Sequence, residues 1–246
     1  MAGKNVKKQK DLLDMLTAAK QVIEKLESLS LDEDYLKKHA TRFGEVKIQG
    51  KHYGVFYTFG SVMDVFVDAN NNVYIGSHIK IYDDGSCYVT SSSDGKIPAV
   101  VKIHGNVYKT KNPEESILYD PNTDVLAKGY YIEPLEDGFI WVSSSKDGKI
   151  PGVIIYGDQT YKTENPGEEL LFNPKDDILL KGSKIDFTSQ ENAVIVNRHE
   201  GSSYAEFQGL VFESLGFDLH VEKSDKGYVF KPKAKPSKPK QKAKSS

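Results

Sequence analysis

Residues 84–129 read DGSCYVTSSSDGKIPAVVKIHGNVYKTKNPEESILYDPNTDVLAKG, and residues 137–182 read DGFIWVSSSKDGKIPGVIIYGDQTYKTENPGEELLFNPKDDILLKG. The two stretches align without a gap at an offset of 53, and 23 of the 46 positions are identical. DGKIP recurs at 94–98 and 147–151, YKT at 108–110 and 161–163, NP at 112–113 and 165–166, and KG at 128–129 and 181–182. Short β-branched and aromatic runs, such as Val153-Ile154-Ile155-Tyr156, are separated by Asp-Gly pairs, a pattern that predicts short strands joined by tight turns.

The frame extends outward in both directions. Val46-Lys47-Ile48-x-Gly50-x-x-Tyr53 mirrors Val101-Lys102-Ile103-x-Gly105-x-x-Tyr108, and residues 66–76 and 172–182 share the frame of 119–129. Three residues after the closing glycine of each segment stands an isoleucine: Ile79, Ile132 and Ile185. The chain therefore holds three tandem copies of a β unit of about 53 residues. Such a repeat builds a row of small barrels, one per copy, or a single β-trefoil-like domain; a propeller needs at least four blades. The expected organisation is a helical segment at 1–43, β repeats at 44–104, 105–156 and 157–209, a β extension at 210–231 and a Lys/Pro-rich tail at 232–246. The third repeat diverges, with Glu200-Gly201 at the place of the second Asp-Gly turn.

Residues 5–29 read as a helix, because Leu12, Leu16, Ala19, Ile23 and Leu26 recur at spacings of four and three. Ser30 with Glu33 reads as a capping box opening a second, short helix that ends near His39. From residue 232 the text is low-complexity lysine and proline, which cannot bury enough surface to offset ordering entropy and is expected to be disordered.

The whole chain of 246 residues carries 33 basic and 35 acidic side chains. Seven of the lysines (Lys231, Lys233, Lys235, Lys238, Lys240, Lys242 and Lys244) fall in the last sixteen residues, leaving 26 basic against 35 acidic side chains, a net of −9, in the body. The tail is thus the candidate contact for a polyanion, by a salt-dependent and sequence-blind attraction. Only Arg42 and Arg198 are arginines, so bidentate readout of bases is poorly supplied. One cysteine, Cys87, excludes an internal disulfide framework, and six dispersed histidines offer no metal-ligand spacing. No apolar run approaches membrane-spanning length and the opening MAGKNVKKQKDLLDML has no leader-like apolar core, so a cytoplasmic protein is expected, or a virion component if the chain is of phage origin.

No phosphate loop, paired-histidine motif or nucleophile elbow occurs. The serine runs at 91–93 and 143–145 enter Asp-Gly turns, where small polar residues are required. The pairs Glu114-Glu115, Glu168-Glu169 and Asp176-Asp177 read as solvated loop acids, and Cys87 as a small core residue. The aromatic residues carry more promise. Trp141, Tyr88, Tyr119, Tyr130 and Tyr131 are the candidate ligand-binding residues, since flat rings on strand edges can line a groove for a peptide or glycan at little entropic cost. Their alternative duty is to fill small cores.

The series Pro121…Val125-Leu126-Ala127-Lys128-Gly129…Ile132…Asp137-Gly138-Phe139-Ile140-Trp141-Val142…Asp147-Gly148-Lys149-Ile150…Val153 resembles the bacterial Src-homology-3-like (SH3b-type) domain. Ile97-Pro98 and Ile150-Pro151 stand where that family has a closing Gly-Trp pair. The resemblance implies tandem SH3-like barrels and a non-catalytic adaptor that binds cell-wall polymer or protein; from the residues themselves no cofactor or metal is expected. The expected function is thus a binding or scaffold protein, with self-association through the N-terminal helix. A structural component of a phage or virus particle is the alternative, and a nucleic-acid-binding protein acting through its basic tail is the third reading.

Overall fold

The computed structural model describes residues 2–135, 138–188, 193–197, 202–207, 210–215, 218–224 and 227–233. Helix α1 (Ala2–Glu27) ends where Leu29 turns left-handed, at φ 58°, so that Ser30 N–H reaches back to the Lys25 carbonyl at 2.8 Å. Ser30 is therefore spent closing α1 and does not cap the next helix. Asp32 takes that role for α2 (Glu33–His39), its Oδ1 accepting from the Tyr35 N–H at 2.7 Å.

From residue 42 the strands pair two by two into antiparallel hairpins. The hairpins are β1 (Arg42–Ile48) with β2 (Lys51–Phe59), β3 (Met63–Asp68) with β4 (Val73–Gly76), and β5 (His78–Ile81) with β6 (Cys87–Thr90). The next copy supplies β7 (Val100–Ile103) with β8 (Asn106–Lys109), β9 (Ser116–Asp120) with β10 (Val125–Gly129), and β11 (Tyr131–Pro134) with β12 (Ile140–Ser143). It is followed by β13 (Val153–Tyr156) with β14 (Gln159–Lys162), β15 (Glu169–Asn173) with β16 (Ile178–Gly182), and β17 (Lys184–Thr188) with β18 (Ala193–Asn197). The last are β19 (Ser202–Phe207) with β20 (Leu210–Leu215) and β21 (Asp218–Ser224) with β22 (Gly227–Lys233). The protein is mainly β, as its composition of short apolar runs and turns predicts.

The way these hairpins join differs from the expected row of barrels. Sheet I runs β1-β2-β3-β4-β7-β8, sheet II β5-β6-β9-β10-β13-β14, sheet III β11-β12-β15-β16-β19-β20 and sheet IV β17-β18-β21-β22. The second and third copies each send their three hairpins into three successive sheets, the third beginning one sheet further on than the second, whereas the first copy places both β1–β2 and β3–β4 in sheet I and β5–β6 in sheet II. No sheet closes into a barrel among the described residues, and the expected boundaries at 104/105 and 156/157 fall in the turns of the β7–β8 and β13–β14 hairpins. The copies interlock instead of standing apart.

The sheets stack as layers, each displaced by one hairpin from the last: β5 lies over β3, β11 over β9, and β17 over β15. Four cores fill the spaces. Helices α1 and α2 cover sheet I through Ala19, Val22, Leu26, Leu36, Tyr57, Val65 and Ile75. Phe66, Tyr74 and Val101 meet Cys87, Val89, Ile117 and Tyr119 between sheets I and II. Leu118, Ala127 and Ile154 meet Val142, Leu170 and Phe172 between II and III, and Leu171, Leu180 and Ala205 meet Ile185, Val196 and Leu219 between III and IV. Successive residues of one strand thus enter opposite cores. This is why segments such as Ser116–Asp120 and Val125–Gly129 read as continuous apolar runs without period-two alternation.

Candidate functional site

The chain changes sheets at the strand ends opposite the hairpin turns, and the DGKIP, YKT, NP and Lys-Gly strings shared by the copies lie there. At the Lys-Gly corner the backbone must pass close to the next layer: a Cβ on Gly129 would stand 2.7 Å from Val142 Cγ1 and 2.9 Å from the Ser143 carbonyl oxygen. Only a residue without Cβ fits that approach.

The other crossovers carry backbone groups away from any ladder, and buried side chains satisfy them. Ser91 Oγ donates to the Glu115 carbonyl at 2.9 Å, and the Ile97 and Ala99 N–H groups donate to Ser92 Oγ and Thr110 Oγ1, both at 2.9 Å. Glu115 Oε2 accepts from the Lys111 and Asn112 N–H groups at 2.8 and 3.0 Å. The next copy repeats the set: Ser144 Oγ to the Glu168 carbonyl, Ile150 N–H to Ser145 Oγ, Gly152 N–H to Thr163 Oγ1, and the Glu164 and Asn165 N–H groups to Glu168 Oε2. The expectation that these glutamates are solvated fails for one member of each pair. Glu115 is 2% and Glu168 3% exposed, because carboxylates are what the crossover amides require. Glu169 is half-buried as well. Burial raises its carboxyl above the usual range, opposed by hydrogen bonds from the Ile185 N–H and the Trp141 side chain.

Between the Asp-Gly turn and the Tyr-Lys-Thr strand end lies a groove, and it occurs twice. In the first position Gly95, Lys96, Pro98, Lys109, Thr110 and Lys111 enclose about 530 Å³. In the second, Gly148, Lys149, Pro151, Lys162 and Thr163 occupy the same places, with Glu164 where Lys111 stands, around about 720 Å³. Asn112 Nδ2 of the first copy donates to the Lys149 carbonyl at 3.4 Å, tying one groove to the next. Lys96 pairs with Asp94 at 2.9 Å and Lys149 with Asp147 at 2.8 Å, and these lysines hold both aspartates well below the usual carboxylate range. These lysines were not singled out in the sequence. Their signal was present in the repeated DGKIP and YKT strings, which read first as turn chemistry.

The five aromatic candidates divide. Tyr131 and Trp141 come together on neighbouring strands at the edge of sheet III, their rings 5.6 Å apart and edge-on at 74°. Tyr130 sits at the adjacent corner; it and Tyr131 are 46% and 44% exposed. The Tyr131 hydroxyl donates to Glu133 Oε2 at 2.7 Å, and this bond, with burial second, pushes it up to about 12. Tyr88 packs into the core between sheets II and III and donates to Ser116 Oγ at 3.0 Å. Tyr119 is 2% exposed between sheets I and II, with its hydroxyl on Asp124. It fills a core on the other side of sheet II and does not reach the edge of sheet III.

Of the tail, Lys231 lies on β22, paired with Glu222 at 2.9 Å, and Lys233 ends that strand. Lys235, Lys238, Lys240, Lys242 and Lys244 lie outside the described residues. Cys87 is fully buried, which pushes its thiol up. Among the described residues no cluster of three metal-ligating side chains occurs, and no helix is long and apolar enough to cross a membrane. The chain matches no family model, no curated protein and no solved structure with which it was compared.

Proposed function

We propose that this protein is a non-catalytic binding scaffold whose repeated crossover grooves engage a repetitive protein or anionic polymer. The observation that carries the reading is the doubled groove, which sets lysine heads and a proline at the same places in two adjoining copies. The groups that would otherwise suggest catalysis are committed elsewhere. Ser91, Ser144, Glu115 and Glu168 are bonded into the crossovers and hold the backbone. The lysine-rich C-terminus would add non-specific attraction to a polyanion, nucleic acid included.

Titration with purified teichoic acid at low and physiological salt tests the reading, since contacts to an anion are screened by salt. Replacing Lys111 and Lys162 together by glutamate should weaken binding about tenfold or more, roughly what two charge-assisted contacts contribute. Trp141→Ala should leave it within about twofold, a change of only a few tenths of a kcal/mol. Undetectable binding by the unaltered chain, or equal binding by the double lysine variant, would refute the groove assignment.

A further inference from the structure

The stagger between sheets leaves the hairpin β11–β12 uncovered on one face. Sheet IV opens with β17, which stacks over β15, so no described strand lies over β11–β12 on that side. Ile132, Ile140 and Val142 turn the other way, into the core between sheets II and III. Strand alternation therefore puts Tyr131, Glu133 and Trp141 together on the uncovered face. Glu133 stands opposite Trp141 in the ladder, and Tyr131 is the diagonal neighbour of Trp141.

The fold does not require aromatic residues at these places. At the offset of 53, Tyr130, Tyr131 and Trp141 match Ser77, His78 and Tyr88 in the first copy, and Ser183, Lys184 and Val194 in the third. Tyr130 and Tyr131 are exposed, so core packing does not account for them. The two rings that meet are each anchored by a polar end. The Tyr131 hydroxyl donates to Glu133 at 2.7 Å, and the Trp141 side chain donates to Glu169. Both acceptors are carboxylates, which fix the rings and make their faces more negative.

The first copy shows what the same frame does with a cation. Lys80 stands at the place of Glu133, and its ammonium lies 4.2 Å from the centroid of the Tyr82 ring. The second copy keeps aromatic rings on this face and reverses the charge. Among the described residues no lysine lies over Tyr131. Its ring meets Trp141 edge-on at 74°, so the two faces form the walls of a corner, and a cation seated there touches both. We propose that Tyr131 and Trp141, with the Glu133 carboxylate beside them, bind an organic cation from outside the chain, a quaternary ammonium group such as that of choline. A primary ammonium suits the corner less well, since it is strongly hydrated and carries N–H groups that rings satisfy poorly. The charges around the pair agree in sign. Glu133 and Glu169 are acidic, and Lys184 is already held by Asp186.

Trp141 is the only tryptophan of the chain, so its fluorescence reports on the corner directly. Titrating the full chain with choline or tetramethylammonium at matched ionic strength should give a saturable change with half-saturation at about 1–10 mM. The neutral isostere 3,3-dimethylbutan-1-ol has the same shape without the charge and should bind about tenfold more weakly or worse. Tyr131→Leu keeps apolar bulk but removes the ring; it should weaken choline binding about fivefold with unchanged circular dichroism. Glu133→Gln still accepts from the Tyr131 hydroxyl but loses the charge, and should weaken it about threefold. No polymer is present, so the outcome is independent of the lysine grooves. No saturable change up to about 100 mM choline, a neutral isostere that binds as well as choline, or a Tyr131→Leu variant of wild-type affinity would each overturn the proposal.

Discussion

Replacing Glu115 by alanine should be among the most damaging single changes in the molecule, although it removes no apolar group. The substitution strips the Lys111 and Asn112 amides of their common acceptor and leaves the Lys128 ammonium, 3.0 Å from Glu115 Oε1 and only 20% exposed, without its partner. A hydrogen bond to a charged group contributes about 1.5–3 kcal/mol, and removing one member of a buried ion pair costs about 3–5 kcal/mol. These effects overlap, so a total loss of about 3–5 kcal/mol is expected, or a fall of about 6–20 °C in the thermal midpoint of a chain this long. The matching change at Glu168 is an internal control. Its carboxylate caps the Glu164 and Asn165 amides, but the lysine at the place of Lys128, Lys181, pairs with Glu164 instead. Glu168→Ala should therefore cost about 1–2 kcal/mol less, the contribution of the missing ion pair. Urea melts of both variants, with Lys128→Met added to each, measure the two quantities. Equal losses at the two glutamates, or a loss below about 1 kcal/mol at Glu115, would refute the assignment of these residues as crossover caps.

Gly129→Val should lower stability by about 1–3 kcal/mol through crowding against Val142 and the Ser143 carbonyl, whereas Gly44→Val, whose Cβ meets nothing within 4 Å, should leave the thermal midpoint unchanged. Leu118→Ala opens a cavity between sheets II and III and should cost about 2–5 kcal/mol in a chemical melt. Burial first, then the Glu33 charge, push the Tyr57 hydroxyl from 10.0 to about 12, and burial pushes Tyr161 equally far. Both folded values lie above the unfolded one, so their contribution is complete below pH 10 and is lost as the pH climbs toward 12. Tyr57→Phe should flatten that alkaline loss, as followed by circular dichroism alongside phenolate absorbance.

Local structure was legible in the residues because each signal acts over a few positions. The apolar spacing from Leu12 to Leu26 gave α1, and the Asp-Gly pairs marked turns whose glycines are left-handed, Gly95 at φ 71° and Gly148 at φ 73°. What escaped is decided between elements. A strand buried on both faces, such as Leu170-Leu171-Phe172, carries no mark of which neighbour covers which side, so the move to a new layer after every Lys-Gly corner could not be foreseen. Nor does the pair Glu114-Glu115 say which member turns inward. That follows from Glu114 adopting φ 61°, which aims the next carboxylate at the crossover amides. Ser30 carried a cap signal for α2, but the left-handed Leu29 spent it on closing α1.

The one-hairpin displacement between layers makes the molecule a staircase whose treads are interchangeable. A duplicated stretch of 53 residues inserted in phase would find its three hairpins already accepted by the sheet below, the sheet beside and the sheet above. Growth by gene duplication would lengthen such a protein by one tread, roughly 10 Å, at a time. Every earlier contact would stay as it was, and the helical landing at one end would remain in place.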